Sequence, residues 1–383
     1  MKYIKKTGEY EIMKKIIAIM LICAMAIASL SACGSTEKGA DDSGYRTVTD
    51  HLDIEVKVPK DVKRIAVTNI FPIPSVLCVF FNTSEKIVEM APASMTAAKN
   101  SLLGKLYPDL LNVDTSAVDG DDVNIEELIK QQPDLVIYSA STPALGEKLR
   151  NAGLAAVALS VNKWNYDCIE TLNHWLEVLK EIFPEEATDR CEKVKKYSEE
   201  ALKLVNERVG NLSDEEKARV FVLFQYSDSS IVSSGRNFFG EWWATAAGAK
   251  NVAEELDKDN SVPVTLEQIY KWNPDTILIT NFNKYYPEDL YNNTVGNYDW
   301  SQIDAVKNKR AFKMPLGMYR SYTPGIDTPV TLKWMAKTIY PSLFEDIDII
   351  QETVDYYKEI FNVDLTADEA RSIFEPSASA GVF

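Results

Sequence analysis

Hydrophobic and polar positions along this chain switch between two periods. RIAVTN (64–69), PDLVIYS (133–139), GLAAVALS (153–160), ARVFVLFQYS (218–227), PDTILIT (274–280) and RAFKMP (310–315) are short and apolar almost throughout. That pattern predicts strands buried on both faces, spaced by helical segments as in an α/β sheet. TVTDHLDIEVKVPKD (47–61) alternates instead, and predicts a hairpin with His51 near its turn. Between the strand groups, residues 166–209 read as one long helical stretch. Leu172, Trp175, Leu176 and Leu179 recur at helical spacing, and Val194, Tyr197, Ala201, Leu204 and Val205 continue it. Pro184 lacks an amide donor and restricts Phe183, so it is expected to end or kink the first part. The chain closes with helical patterns at 347–362 and 366–374.

Within this alternation one sentence is written twice. VNIEELIKQQPDLVIYS (123–139) and VTLEQIYKWNPDTILIT (264–280) align without a gap at an offset of 141 residues. Each begins with an N-cap residue, Asn124 or Thr265, followed three positions on by Glu127 or Gln268, a capping-box pattern in both copies. Each helix has to stop before Pro133 or Pro274, and an apolar strand follows. Glu126 and Glu267 both fall at N2, where a carboxylate complements the helix dipole. The order is therefore an α/β lobe (48–164), a linking helix (165–210), a second α/β lobe (211–345) and C-terminal helices with a tail (346–383).

Two lysines, an apolar run from Ile16 to about Leu30 and small residues before Cys33 form a secretory signal, too short for a comfortable span. Its end, Leu30-Ser31-Ala32-Cys33, resembles a lipobox. Residues 1–32 are thus expected to be removed, with Met13 an alternative start, Cys33 lipidated and 33–47 a flexible tether. Removal leaves 36 basic against 55 acidic residues, a charge of −19. So acidic a chain is not a nonspecific nucleic-acid binder, and an anionic ligand has to be met by a local basic cluster. Cys78, Cys168 and Cys191 lack the spacing of a disulfide framework or zinc site, and Cys78 sits in a core-like apolar run.

The signal, the hairpin with RIAVTN, the two Pro-Asp repeats, WWATAAGAKNVA (242–253) and TPVTLKWMAKTIYP (328–341) occur in one order. Together they resemble the substrate-binding lipoproteins of ABC importers for iron-siderophores, haem and cobalamin, over about residues 46–374. The resemblance implies two α/β lobes joined by a single long rigid helix, with ligand in the cleft between them. It also implies that one surface glutamate per lobe docks on a dimeric permease and its ATPase, and these fall on Glu126 and Glu267. The expected protein is a monomer on the outer side of the cell membrane, held there by its lipid, with no cofactor and no catalysis. No G-x-S-x-G, Walker loop or H-E-x-x-H is present, and two histidines cannot support a Ser/His/Asp set.

His51 and His174 alone do not make a multi-histidine metal site, so no protein-held metal is expected and the ligand is read as a preassembled complex. A ferric siderophore stands first, with haem or a corrinoid as alternatives. A surface sensor or adhesin that kept the fold is a further rival. Cleft residues should sit at the C-terminal ends of strands. Arg236 and Arg320 suit planar carboxylate or catecholate groups. Trp164, Tyr226, Phe239, Trp242, Tyr319 and Tyr322 are expected to form its aromatic walls. Ser321 departs from the tryptophan that family members carry after this arginine.

Overall fold

The computed structural model describes residues 44–377. The signal, Cys33 with its expected lipid, and the tether up to residue 43 lie outside the described residues. Two pairs of short strands are hairpins: β1 (Tyr45–Thr49) with β2 (Glu55–Pro59), and β5 (Val118–Asp119) with β6 (Asp122–Val123).

The first lobe is built on a four-stranded, all-parallel sheet. Its strands are β3 (Ile65–Val67), β4 (Ile87–Met90), β7 (Leu135–Ser139) and β8 (Ala156–Leu159), in the order β4-β3-β7-β8. Nearly every residue in them is buried, as the unbroken apolar runs require. The second lobe holds a six-stranded mixed sheet. Its parallel part is β9 (Arg219–Ser227), β13 (Thr276–Ile279) and β14 (Ala311–Lys313), with β11 (Lys250–Asn251) also parallel to β9. On the other side β10 (Ser230–Ser234) pairs antiparallel with β9, and β12 (Ser261–Val264) pairs antiparallel with β10 as the edge. Both are short, β10 carrying three serines and β12 a proline, so their hydropathy gives no strand signal, and the sequence reading passes over them.

The repeat does the same job in both lobes. Helix α1 (Ile125–Lys130) feeds β7 and helix α4 (Leu266–Trp272) feeds β13. The aspartate after each proline then ties its strand to a neighbour. Asp134 Oδ2 accepts from the amides of Lys63 and Arg64 ahead of β3, at 2.9 Å each. Asp275 Oδ2 accepts from the amide of Arg219 at the head of β9, at 2.7 Å. The caps differ. Thr265 and Gln268 close a full capping box. Asn124 receives the amides of Glu126 and Glu127, but Glu127 turns to Lys130 at 2.6 Å instead of reaching back. The first copy is therefore half of the expected box.

Residues 165–210 are a helical hairpin, not one rod. Helix α2 (Cys168–Ile182) ends at Phe183, and helix α3 (Pro184–Val209) begins on Pro184 at its first turn, where a missing amide costs nothing. The two lie side by side: Cys191 Sγ donates to the Leu176 carbonyl at 3.3 Å, and Lys180 pairs with Glu192 at 2.7 Å. The 26 residues of α3 span about 39 Å at 1.5 Å per residue, so α3 alone is the long helix. Its buried residues Val194 and Val205 join Leu172, Trp175 and Leu179 in the largest core cluster. Helix α5 (Thr328–Ile339) packs against α3, and the contact is pinned by Lys333 Nζ, which donates to the Tyr197 hydroxyl at 3.2 Å. Cys78, Cys168 and Cys191 are all free and buried, and burial pushes the Cys191 thiol up to about 12.

Candidate functional site

A cavity of about 280 Å³ opens where the C-terminal ends of both sheets converge. From the first lobe it is lined by Asn69 to Pro72 after β3, Ser139 and Ser141 at the end of β7, and Val161 after β8. Strand ends are where an α/β sheet exposes its loops. Asn69 organises this side. Its Nδ2 donates to Thr142 Oγ1 at 2.9 Å and to Asp121 Oδ1 at 3.1 Å, while its Oδ1 accepts from the Ser139 amide at 3.0 Å. One side chain thus ties three loops, and it brings Asp121 to the rim.

The second lobe supplies an aromatic wall: Phe224 from β9, Phe282 after β13, Phe238 and Phe239 at the head of the helix Phe239–Ala246, and Tyr319 and Tyr322 after β14. Phe224 is the hub, with ring centroids 5.2 Å from Phe282 and 5.3 Å from both Phe238 and Tyr322. These are the tilted and edge-to-face arrangements that aromatic quadrupoles favour. Tyr322 is held from three directions. Its hydroxyl donates to Ser234 Oγ at 3.0 Å and accepts from the Gly240 amide at 3.1 Å, and its carbonyl accepts from Trp243 Nε1 at 2.8 Å. Burial pushes its phenol well above the usual range, as it does that of Tyr319, so both present a neutral hydroxyl.

Arg320 is fully buried directly behind this wall. Its Nη1 donates to the Tyr319 hydroxyl at 2.7 Å, and its guanidinium carbon lies 5.0 Å from the Phe282 ring centroid and 5.2 Å from that of Tyr319. The guanidinium therefore reaches the cavity through Tyr319, not by lining it. The loop that carries both residues is fixed by Asp327, which accepts from the Met318 amide at 2.7 Å and from the Tyr357 hydroxyl.

Of the eight residues expected to touch ligand, the cavity gathers Phe239, Tyr319 and Tyr322, with Arg320 behind them. Four lie elsewhere. Arg236 is exposed and paired with Asp257, because a strand-end loop carries it outward past Gly235. Trp164 stacks on His174 at 4.0 Å and meets His51 edge-on at 4.8 Å. Tyr226 belongs to the second lobe's own core, where its hydroxyl accepts from Trp300 Nε1 at 2.8 Å. Trp242 meets Trp243 edge-on at 4.7 Å and packs against the main core, outside the cavity lining. The phenylalanines at 71, 224, 238 and 282 were missed. Phe71 and Phe282 closely follow the apolar runs 64–69 and 274–280, but an apolar residue there reads as core until the partner lobe is in place.

The two histidines come together under Trp164, with ring centroids 6.4 Å apart. The Ser160 amide can only donate, so His51 Nδ1 accepts it at 2.8 Å and Nε2 carries the proton toward the His174 carbonyl at 3.3 Å. Burial lowers the His51 pKa to about 4. This is a structural histidine. Away from the cleft, Glu126 and Glu267 are both exposed on the first turns of α1 and α4.

Comparison with known proteins agrees with this geometry. A family model for periplasmic binding proteins matches residues 88–316. The molybdate-binding protein MolA of Haemophilus influenzae is 25% identical over 384 residues, covering 93% of this chain and 99% of that protein. A periplasmic solute binding protein from Veillonella parvula has 28% identity and a TM-score of 0.78, over 87% of this chain and 98% of that one. The nickel–histidine complex of Helicobacter pylori CeuE shares the fold, with 21% identity, a TM-score of 0.68, and coverage of 86% and 99%. With the family model spanning most of the folded chain, and the cleft at the strand ends of two lobes, this chain belongs to the periplasmic binding protein family, the extracytoplasmic solute-binding proteins of ABC importers.

Proposed function

We propose that this protein captures a ferric siderophore of low net charge in the aromatic cleft and delivers it to an ABC permease. The observation that carries the reading is the composition of the wall. Seven aromatic side chains line the cavity, and among the described residues no lysine, arginine or histidine does. Aspartate 121 at the rim adds negative charge. Such a site favours a metal already wrapped in an organic shell over a bare cation, which would need converging ligands. It also favours a neutral hydroxamate-type shell over a catecholate one, since of the two arginines expected to meet catecholates Arg236 pairs with Asp257 and Arg320 stands behind Tyr319. At about 280 Å³ the cavity lies just below the usual range of ligand sites, ~300–1,000 Å³, which counts most against a corrinoid, the bulkiest of the three ligand classes.

An oxyanion is the second reading. It is favoured by the similarity to a molybdate-binding protein and by the guanidinium of Arg320 behind Tyr319. Seven tryptophans provide a signal. Tryptophan quenching is to be titrated with a ferric hydroxamate, a ferric catecholate, haemin and molybdate. Saturable quenching by the hydroxamate complex at micromolar concentration, without response to molybdate, is the expected result. Molybdate binding alone would replace the first reading with the second.

Delivery requires docking, and the repeated N2 glutamates support it: a two-subunit permease needs one contact per lobe. Glu126→Ala with Glu267→Ala is expected to abolish uptake of the radiolabelled ferric complex while leaving quenching intact. Uptake at the wild-type rate would remove the docking role and leave the sensor or adhesin reading. A lipid on Cys33 would keep this monomer near the permease and raise its effective concentration.

A further inference from the structure

The two copies of the repeat share more than their glutamate. Four large hydrophobic side chains stand exposed among the described residues: Tyr45, Ile129, Tyr270 and Leu343. Ile129 is 44% exposed and Tyr270 36%, and they occupy the same repeat position. Each lies three residues beyond its glutamate. Residues three and four apart share a helix face, with Cβ atoms ~5–6 Å from one another. Each helix therefore turns outward a carboxylate, an apolar side chain and then a lysine: Glu126, Ile129 and Lys130 on α1, Glu267, Tyr270 and Lys271 on α4. The inward position matches too, since Leu128 and Ile269 are fully buried.

Neither side chain is fully covered by its own lobe. A β-branched isoleucine on a solvent face gains little from burial and is a weaker helix former than leucine or glutamate. Tyr270 donates its hydroxyl to the Asp299 carbonyl, which fixes the ring in place while leaving it open to a partner. Helices of 6 and 7 residues thus present the same outward pattern at one site in each lobe. We infer that Ile129 and Tyr270 are apolar anchors of the permease-facing surface, so that each lobe offers the transporter the same two-part patch, a carboxylate beside a hydrophobic side chain one turn on. This rests on the docking role of Glu126 and Glu267. The partner it fits has two similar subunits, each presenting a guanidinium or ammonium next to a shallow apolar pocket. The charge steers the encounter, whereas exposed ion pairs hold weakly. The apolar anchors slow dissociation.

The test is surface plasmon resonance of the mature protein on its transporter in nanodiscs. Ile129→Ala and Tyr270→Ala are each expected to raise the dissociation rate roughly five- to tenfold, and together by about the product. Association and its salt dependence should stay near wild type. The glutamate pair of alanines should instead slow association and flatten its salt dependence. Thermal midpoints within error of wild type show that the variants are folded. If the apolar pair binds as wild type while the glutamate pair does not, the anchors are wrong and docking through the glutamates stands. If the apolar pair fails and the glutamate pair binds normally, the two-part patch is overturned in its charged half. Wild-type kinetics for both pairs would remove the surface altogether.

Discussion

Gly240 leaves no room for one more carbon in the cleft wall. A Cβ there would lie 2.4 Å from Ser234 Cβ and 2.5 Å from its Oγ, and Ser234 is the partner that Tyr322 and the Gly240 amide share. Gly240→Ala is expected to cost about 1–3 kcal/mol by overpacking and to weaken ferric-hydroxamate quenching, because Tyr322 has to move. Urea denaturation and a quenching titration check both. Two buried titratable groups give opposite pH trends. His51 folds neutral with its pKa at about 4 against 6.5 unfolded, so stability is lost as pH falls through that window. Glu89 is buried beside the Ala117 amide, and burial raises it from 4.5 to about 7. It folds protonated, so stability falls as pH rises from 4.5 to about 7. Urea midpoints between pH 4 and 7 should therefore lose their acid-side slope in His51→Gln and gain stability at pH 7 in Glu89→Gln. The reverse signs would refute the assignments.

At the level of elements, the repeat was legible because its signals are local. Cap residue, N3 partner and proline stop all act within about ten residues, and both helices formed where those signals stand. Asn124→Ala and Thr265→Ala should each cost about 1 kcal/mol, measured by chemical denaturation. The Thr265 change should cost more, because it opens a reciprocal box where Asn124 makes a one-sided cap. Equal costs would show that the box adds nothing. The break at Pro184 was legible for the same reason. That the two halves fold back on each other was not, since helical periodicity reports a buried face and not what covers it. The strands β10 and β12 were hidden likewise: Ser-Ile-Val-Ser-Ser becomes a strand by pairing with β9 and β12, a contact that no local signal announces.

At the scale of the molecule, α3 runs about 39 Å as one helix and is backed by α2 on one side and by α5 on another. Arg208 near its end grips both carboxylate oxygens of Asp346, at 2.6 and 2.8 Å, a bidentate contact that resists sliding. A link of this kind bends less than a pair of hinge strands. Crystal structures with and without a ferric hydroxamate should differ by a small rotation of the lobes, and closure by tens of degrees would refute it. The sequence by itself determined the α/β class, the order of lobe, helix and lobe, the doubled module and its two outward glutamates. All of these follow from periodicity and capping, which act over short stretches of chain. Only the tertiary structure decided the cleft. Phe71 and Phe282 face one cavity because two sheets bring distant strand ends together. Arg236 and Trp164 face elsewhere because Asp257 and His174 are nearer partners. Which loops share the cavity depends on segments far apart in sequence, such as those carrying Phe71 and Phe282, and their meeting leaves no trace in local spacing.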